Sequence, residues 1–319
     1  MENQFYHPAS GGHAPEACFE VATASQWLRT AADTPDPVML YGPLWFENEV
    51  ACLFADTNAG KSILAVQIAD HVARSGRRVL YFDFEMTAKQ FQLRYTAANG
   101  RTLFAFHENF MRVELSQKAA PCEPAEIIDA IRSVATSHDA RVLIIDNITW
   151  LCNRCEEGDA AGSLMQALVE LKRSYGLSIL VLAHTPKRPA GTPLTQNCLA
   201  GSKRIANFLD SIFAIGRDYT EPIGNARYIK QIKVRSARET LGEGNVMRCI
   251  VGKEDNGNLR FDHIGYGRES DLLQARPTAD AHREQLCRQA AELSARGMSL
   301  RQIARELGVS KSLVGNLLA

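Results

Sequence analysis

A glycine, a lysine and a hydroxyl stand together in Ala55-Asp56-Thr57-Asn58-Ala59-Gly60-Lys61-Ser62. The apolar run Val50-Ala51-Cys52-Leu53-Phe54 precedes them, and Ile63, Leu64, Ile68 and Val72 follow at helical spacing. The pattern fits G-x-x-x-x-G-K-[ST], with Ala55 in place of the first glycine, and it sits in the strand–turn–helix setting that motif needs. Successive amides in such a turn, backed by a helix N-terminus, form an anion hole. Gly60 lets the backbone come close to phosphates, Lys61 reaches the β- and γ-phosphates, and Ser62 offers a hydroxyl to Mg²⁺. Asp56, Thr57, Asn58, Ala59, Gly60, Lys61 and Ser62 are therefore the expected nucleotide contacts, with ATP and Mg²⁺ as ligands. A carboxylate repels phosphates, so the side chain of Asp56 is expected to point away.

Two further acids end apolar runs. Val142-Leu143-Ile144-Ile145 leads into Asp146, which is placed to hold Mg²⁺ or its waters together with Ser62. Asn147 follows, so the acid that activates water is not the immediate neighbour. Tyr81-Phe82-Asp83-Phe84-Glu85-Met86 supplies one. Glu85 lies at a strand's carboxyl end, where ligand crevices of parallel sheets form, and it is the expected general base. Asp83 alternates to the same strand face and is the rival. A helix-capping role for Glu85 is the other alternative.

These groups need a scaffold. Val50–Phe54, Val79–Phe82, Val142–Ile145, Leu177–Leu182 and Ile212–Ile215 are continuous apolar runs, as in strands covered on both faces. Helical patterns through Ile127, Ile128, Ile131 and Val134, and through Leu164, Leu168 and Leu171, lie between them. The expectation is an α/β fold with a mostly parallel sheet. Residues 228–234, 247–251 and 259–261, joined by glycine-rich turns, are expected to extend it antiparallel. The expected divisions are a flexible segment 1–39, a core 40–264, a linker 265–278 and a small all-α unit 279–319.

The 319 residues are 45% hydrophobic, enough for a sizeable core, and carry 36 basic and 36 acidic residues. With no net field, any nucleic-acid binding must come from local patches. No apolar run spans a membrane, the N-terminus has no secretory pattern, and eight scattered cysteines fit reduced thiols, so a cytoplasmic location is expected. Cys152-x-x-Cys155 lacks the two further ligands a zinc site needs.

Local basic segments exist. His184 to Leu209 contains Lys187, Arg188, Lys203 and Arg204 and no acid, in a long loop of the kind that usually carries function. It is either a DNA-contacting loop or a solvated one. Lys233 and Arg235 share one face of a strand, which is otherwise read as a basic edge that resists aggregation. In 279–319, Ser299 and Ser310 are natural N-caps, and Ile303, Ala304, Leu307, Val309, Val314 and Leu317 form a shared core. The unit looks like a helix-turn-helix with Ser310, Lys311, Ser312 and Asn316 as recognition-helix candidates for duplex DNA. A protein-docking bundle is the alternative.

With the acid on the second strand, residues 40–264 resemble the RecA-like branch of P-loop ATPases. Phe84-Glu85-Met86 is similar to the matching segment of DnaB-type helicases. His184-Thr185-Pro186-Lys187, Gly201-Ser202 and Asp210-Ser211-Ile212-Phe213 resemble RepA-like hexameric helicases and related ATPases of plasmids and mobile elements. The resemblance implies His184 as a γ-phosphate sensor and a loop lining a channel for single-stranded DNA. It implies Lys233 and Arg235 as a finger into a neighbour's site, in a homo-oligomer of hexameric type. The activity it implies is a ring-forming DNA-dependent ATPase or helicase; the alternatives are an ATP-switched DNA-binding regulator of transposition, replication or transcription without unwinding, and a non-hydrolysing ATP-binding scaffold.

Overall fold

The computed structural model describes residues 20–116, 124–152, 160–199, 202–221, 223–274 and 279–318. It divides into two units, residues 1–38 and 39–319. The first holds helix α1 (Ala24–Ala32), opened by a capping box between Thr23 and Gln26 and exposed along its length.

The second unit opens with a short hairpin, β1 (Met39–Tyr41) and β2 (Trp45–Phe46). An alternation follows: β3 (Val50–Ala55), α2 (Lys61–Arg74), β4 (Val79–Asp83), α3 (Ala88–Arg94), β5 (Phe110–Val113), α4 (Pro124–Ser137), β6 (Val142–Asp146), α5 (Ile148–Cys152), α6 (Ala160–Tyr175) and β7 (Ser178–His184). Then come α7 (Ser202–Phe208), β8 (Ser211–Arg217), β9 (Ala226–Lys233), β10 (Val246–Lys253), β11 (Leu259–Gly267) and α8 (Glu269–Leu272). Among the described residues, nine strands form one sheet in the order β11-β10-β9-β8-β3-β7-β6-β4-β5. From β8 to β5 every neighbouring pair is parallel, and β8, β9, β10 and β11 pair antiparallel. This is the expected mostly parallel α/β sheet with its antiparallel extension.

Strand β3 shows why the runs are continuously apolar. Val50, Cys52 and Phe54 enter one core with α4 and α6, while Ala51, Leu53 and Ala55 enter the other with α2 and the β1–β2 hairpin. Period-2 alternation sends successive side chains to opposite faces, and helices cover both. Register then sets the crevice. Ala55 pairs with His184 and Asp83 pairs with Asp146, so four strand ends reach one edge of the sheet.

Two departures have local causes. Strand β5 was not anticipated: Phe110-Met111-Arg112-Val113 is half-buried at the sheet edge and carries a charge, so its pattern is neither alternating nor wholly apolar. A linker beginning at residue 265 is corrected. β11 runs to Gly267 through a bulge opposite Arg248 and Cys249, and Glu269 and Leu272 of α8 are buried. The glycines that read as linker punctuation belong to the bulged strand.

Glu269 also fastens the chain after β7. Its carboxylate accepts from Tyr228 Oη (2.8 Å), Leu194 N (2.8 Å) and Lys230 Nζ (2.5 Å). Glu269→Ala leaves the buried Lys230 ammonium without its counter-charge, and the expected loss is about 3–5 kcal/mol of unfolding free energy. Denaturant titration measures it.

Helices α9 (Ala279–Ala295), α10 (Leu300–Glu306) and α11 (Lys311–Leu318) share a separate core of Ala290, Ile303, Ala304, Val314 and Leu317. Ser299 and Gln302 form a capping box at α10, and Gly308, at φ +66°, turns the chain toward α11. Among the described residues, no helix is long and apolar enough to cross a membrane.

Candidate nucleotide site

The turn between β3 and α2 carries two left-handed residues, Asn58 at φ +61° and Gly60 at φ +105°. Alternation of this kind aims successive amides to one side, the concavity that receives anions. A Cβ at Gly60 would lie 2.9 Å from Phe261 Cζ, so glycine is required there for space as well as for φ. Phe261 is held in place by a reciprocal pair, Gln67 Nε2 to Phe261 O at 3.1 Å and Phe261 N to Gln67 Oε1 at 2.8 Å. Arg227 Nε donates to Ala59 O at 3.0 Å.

Lys61 Nζ donates to Ala55 O at 3.3 Å and to His184 Nδ1 at 3.2 Å. On its other side the His184 ring places Nε2 3.1 Å from both Glu85 Oε1 and Asn147 Nδ2. Asn147 Nδ2 donates to the same Glu85 oxygen, and Asn147 Oδ1 accepts from Trp150 N at 3.0 Å. Glu85 Oε1 is thus held from two sides, while Oε2 has no donor among the described residues. Burial pushes the Lys61 ammonium below its usual range, and the charges of Glu85, Asp146 and Asp56 oppose that fall.

Glu85 sits on a fixed segment. Phe84 N donates to Asp146 O at 2.7 Å, and the Phe84 ring stacks on Trp150 at 4.6 Å. Asp83 Oδ1 accepts from Glu85 N (3.1 Å) and Met86 N (2.8 Å), and Asp83 Oδ2 accepts from Arg112 Nε (2.9 Å). Asp83 is buried and its oxygens are engaged, so it supports the turn that presents Glu85.

Asp146 is fully buried. Its Oδ2 accepts from Tyr81 Oη at 2.6 Å, and its Oδ1 has no hydrogen-bond partner among the described residues. Burial pushes its carboxyl up to about 6; the hydroxyls of Tyr81 and Ser62 pull it down, and the charges of Glu85 and Asp83 add to the rise. An orphaned carboxylate oxygen near a serine hydroxyl fits Mg²⁺, which takes one or two protein oxygens and completes its shell with substrate phosphates and water. No cluster of three or more His, Cys, Asp or Glu suited to a metal occurs among the described residues.

Residues 16–190 match the family model described as AAA domain, more than half of the chain. The chain belongs to this family. The DNA repair protein RadA of Campylobacter jejuni is 23% identical over 219 residues, covering 67% of this chain and 44% of that protein. The DNA repair protein RadA of Mycobacterium tuberculosis is 24% identical over 213 residues, covering 65% of this chain and 38% of that protein. The chain thus spans about two fifths of the length of these relatives. A KaiC-like protein of Pyrococcus horikoshii aligns with a TM-score of 0.48 at 16% identity, covering 68% of this chain and 91% of that one.

The AAA domain gathers Gly60, Lys61, Ser62, Glu85, Asp146 and His184 at one crevice, with Thr57 and Asn58 exposed on its rim. Other anticipated residues lie elsewhere. Lys233 pairs in register with Ile212, three residues, or about 10 Å, below the level of Ala55. Lys233 donates to Ala206 O and Leu209 O, and Arg235 donates to Asp210 Oδ1 at 2.7 Å, so neither meets the crevice of its own chain. Arg188, grouped with the DNA-contacting cations, is instead folded onto Asp56, with Nε to Oδ1 at 3.1 Å and Nη2 to Oδ2 at 3.0 Å. Lys187 is exposed. The side chains of Lys203, Arg204 and Cys152, and all of Cys155, lie outside the described residues. Ser310, Lys311, Ser312 and Asn316 are exposed on and just before α11. Asn147, Tyr81, Arg227 and Phe261 are site residues that sequence reasoning did not assign. Asn147 alone carried a signal, as the polar residue beside the strand-ending Asp146.

Proposed function

We propose that the protein is a Mg²⁺-dependent ATPase coupled to DNA, on the plan of the RepA- and DnaB-type ring helicases. The observation that carries the reading is the meeting of Lys61, Glu85, Asp146 and His184 beside an amide-lined turn. The turn and the α2 N-terminus bind the phosphates, and Lys61 exchanges Ala55 O and His184 for phosphate oxygens. Ser62 and Asp146 would hold Mg²⁺, which when bound neutralises charge on the phosphates. Glu85, steadied at Oε1 by Asn147 and His184, takes the proton of the attacking water through Oε2. His184 touches both Lys61 and Glu85, so a change at the terminal phosphate reaches the loop that follows His184.

That loop, through Lys187, is proposed to meet single-stranded DNA. The terminal three-helix unit is proposed to be a helix-turn-helix that meets duplex DNA through Ser310, Lys311, Ser312 and Asn316. The relatives named DNA repair protein RadA support a DNA partner. Lys233 and Arg235 act, on this reading, in a neighbouring subunit's crevice, which requires a homo-oligomer of hexameric type. The terminal unit's self-contained core also favours an ATP-switched DNA-binding regulator that unwinds nothing. ATP turnover with and without oligo(dT), measured beside solution mass with nucleotide, tests the motor reading. Stimulation by DNA and a mass several times 35.2 kDa are expected. A monomer whose turnover ignores DNA overturns it. Strand displacement on a forked duplex separates helicase from regulator.

A further inference from the structure

We infer that Arg188 is a positioning residue of the phosphate turn: it neutralises Asp56 and so ties nucleotide affinity to the loop after β7. The inference rests on the nucleotide reading of the crevice. Asp56 is the first residue past β3, inside the turn whose amides are to receive phosphates. An ionised carboxylate in that position opposes a triphosphate unless another cation cancels it. Lys61 feels the Asp56 charge, yet Lys61 is the group that must go to the phosphates.

Arg188 supplies the cancelling charge in a two-pronged geometry. Nε and Nη2 reach the two Asp56 oxygens at 3.1 and 3.0 Å, the fork-to-carboxylate arrangement that fixes orientation as well as charge. The fork is preset from the other side. Arg188 Nη1 donates to Thr192 O and to Thr192 Oγ1 at 3.0 Å, and Thr192 Oγ1 donates to Pro189 O at 2.8 Å. Residues 188–192 thus form a closed turn that presents one guanidinium edge to the phosphate turn. The pair is partly shielded from solvent, with side-chain exposures of 15% for Arg188 and 32% for Asp56. The contact spans 132 positions of sequence and joins the turn after β3 to the loop that follows His184. A shift of that loop removes a positive charge from the phosphate turn.

The test measures the dissociation constant of Mg-ADP carrying an N-methylanthraniloyl label, together with kcat and KM for ATP. The proteins are the full-length wild type, Arg188→Gln, Asp56→Asn and the double variant. Arg188→Gln is expected to weaken nucleotide binding and raise KM by about tenfold, the scale of one uncancelled charge in a half-wet site, with kcat little changed. Asp56→Asn leaves the Arg188 charge uncancelled beside the phosphates and is expected to bind nucleotide more tightly than wild type, and the double variant returns near wild type because both charges are gone. A structural brace alone would leave the double variant as weak as Arg188→Gln. That result, or unchanged affinity in Arg188→Gln, overturns the inference. Thermal unfolding of all four confirms folding. A wild type that fails to bind the labelled nucleotide overturns the nucleotide reading itself and is recognisable as such.

Discussion

Replacing Glu85 with glutamine is expected to cut ATP turnover by about 10²–10⁴-fold while leaving nucleotide affinity nearly unchanged. The geometry separates the two quantities. Glutamine keeps an oxygen for Asn147 and His184, so the crevice walls stay in place. What is lost is the basicity of Oε2, the oxygen no described residue occupies. Single-turnover and steady-state rates, measured beside the affinity for a labelled nucleotide, check this. Equal turnover in variant and wild type would remove Glu85 from the chemistry. Asp83→Asn behaves differently, because Asp83 holds the amides of Glu85 and Met86 and pairs with Arg112. Its expected signature is a lower unfolding midpoint.

Asp146→Asn should move stability and activity in opposite directions. In the folded chain burial raises the Asp146 carboxyl to about 6, above its unfolded value near 3.8. Below the unfolded value both states are protonated and the group costs nothing. As pH rises from there toward 6 the unfolded chain ionises first, and the native state loses stability relative to it. Above 6 the penalty is complete, about 3 kcal/mol for a difference of this size. Asparagine has no charge to bury and can still accept from Tyr81. In EDTA, the variant should therefore unfold at higher temperature than wild type at pH 7.5, with a smaller gain at pH 5. Mg²⁺-dependent turnover should collapse, since an amide cannot replace the carboxylate as ligand. Added Mg-nucleotide should stabilise wild type far more than the variant. A variant less stable than wild type in EDTA at pH 7.5 would show that the carboxylate is not strained by its burial.

The parts of the site written in consecutive residues were readable: the turn from Ala55 to Ser62, the strand-ending Asp146, and Glu85 at the next strand end. Each combines a local motif with an apolar run, and both signals survive without tertiary information. The rivalry between Glu85 and Asp83 was not resolvable, because the answer lies in which amides and guanidinium Asp83 already serves. The pairing of Arg188 with Asp56 is hidden in the sequence for a related reason. The arginine's charge and loop setting are visible in the chain, but its partner at position 56 is not. Strand β5 escaped because an edge strand with an arginine in it lacks a clean period. Gly265 and Gly267 look like linker punctuation in the sequence because their pairing with β10 is not visible there.

The matching of Ala55 with His184 and of Asp83 with Asp146 makes the sheet a ruler for length as well as a support. Deleting or inserting a single residue within β3, β4, β6 or β7 would slide one reactive group out of level with the others and turn its neighbours to the opposite face. Changes of length in the connections at the far edge leave that alignment intact. Tolerance to insertions should therefore be sharply uneven along this chain, lowest inside four short strands that contain few of the reactive groups.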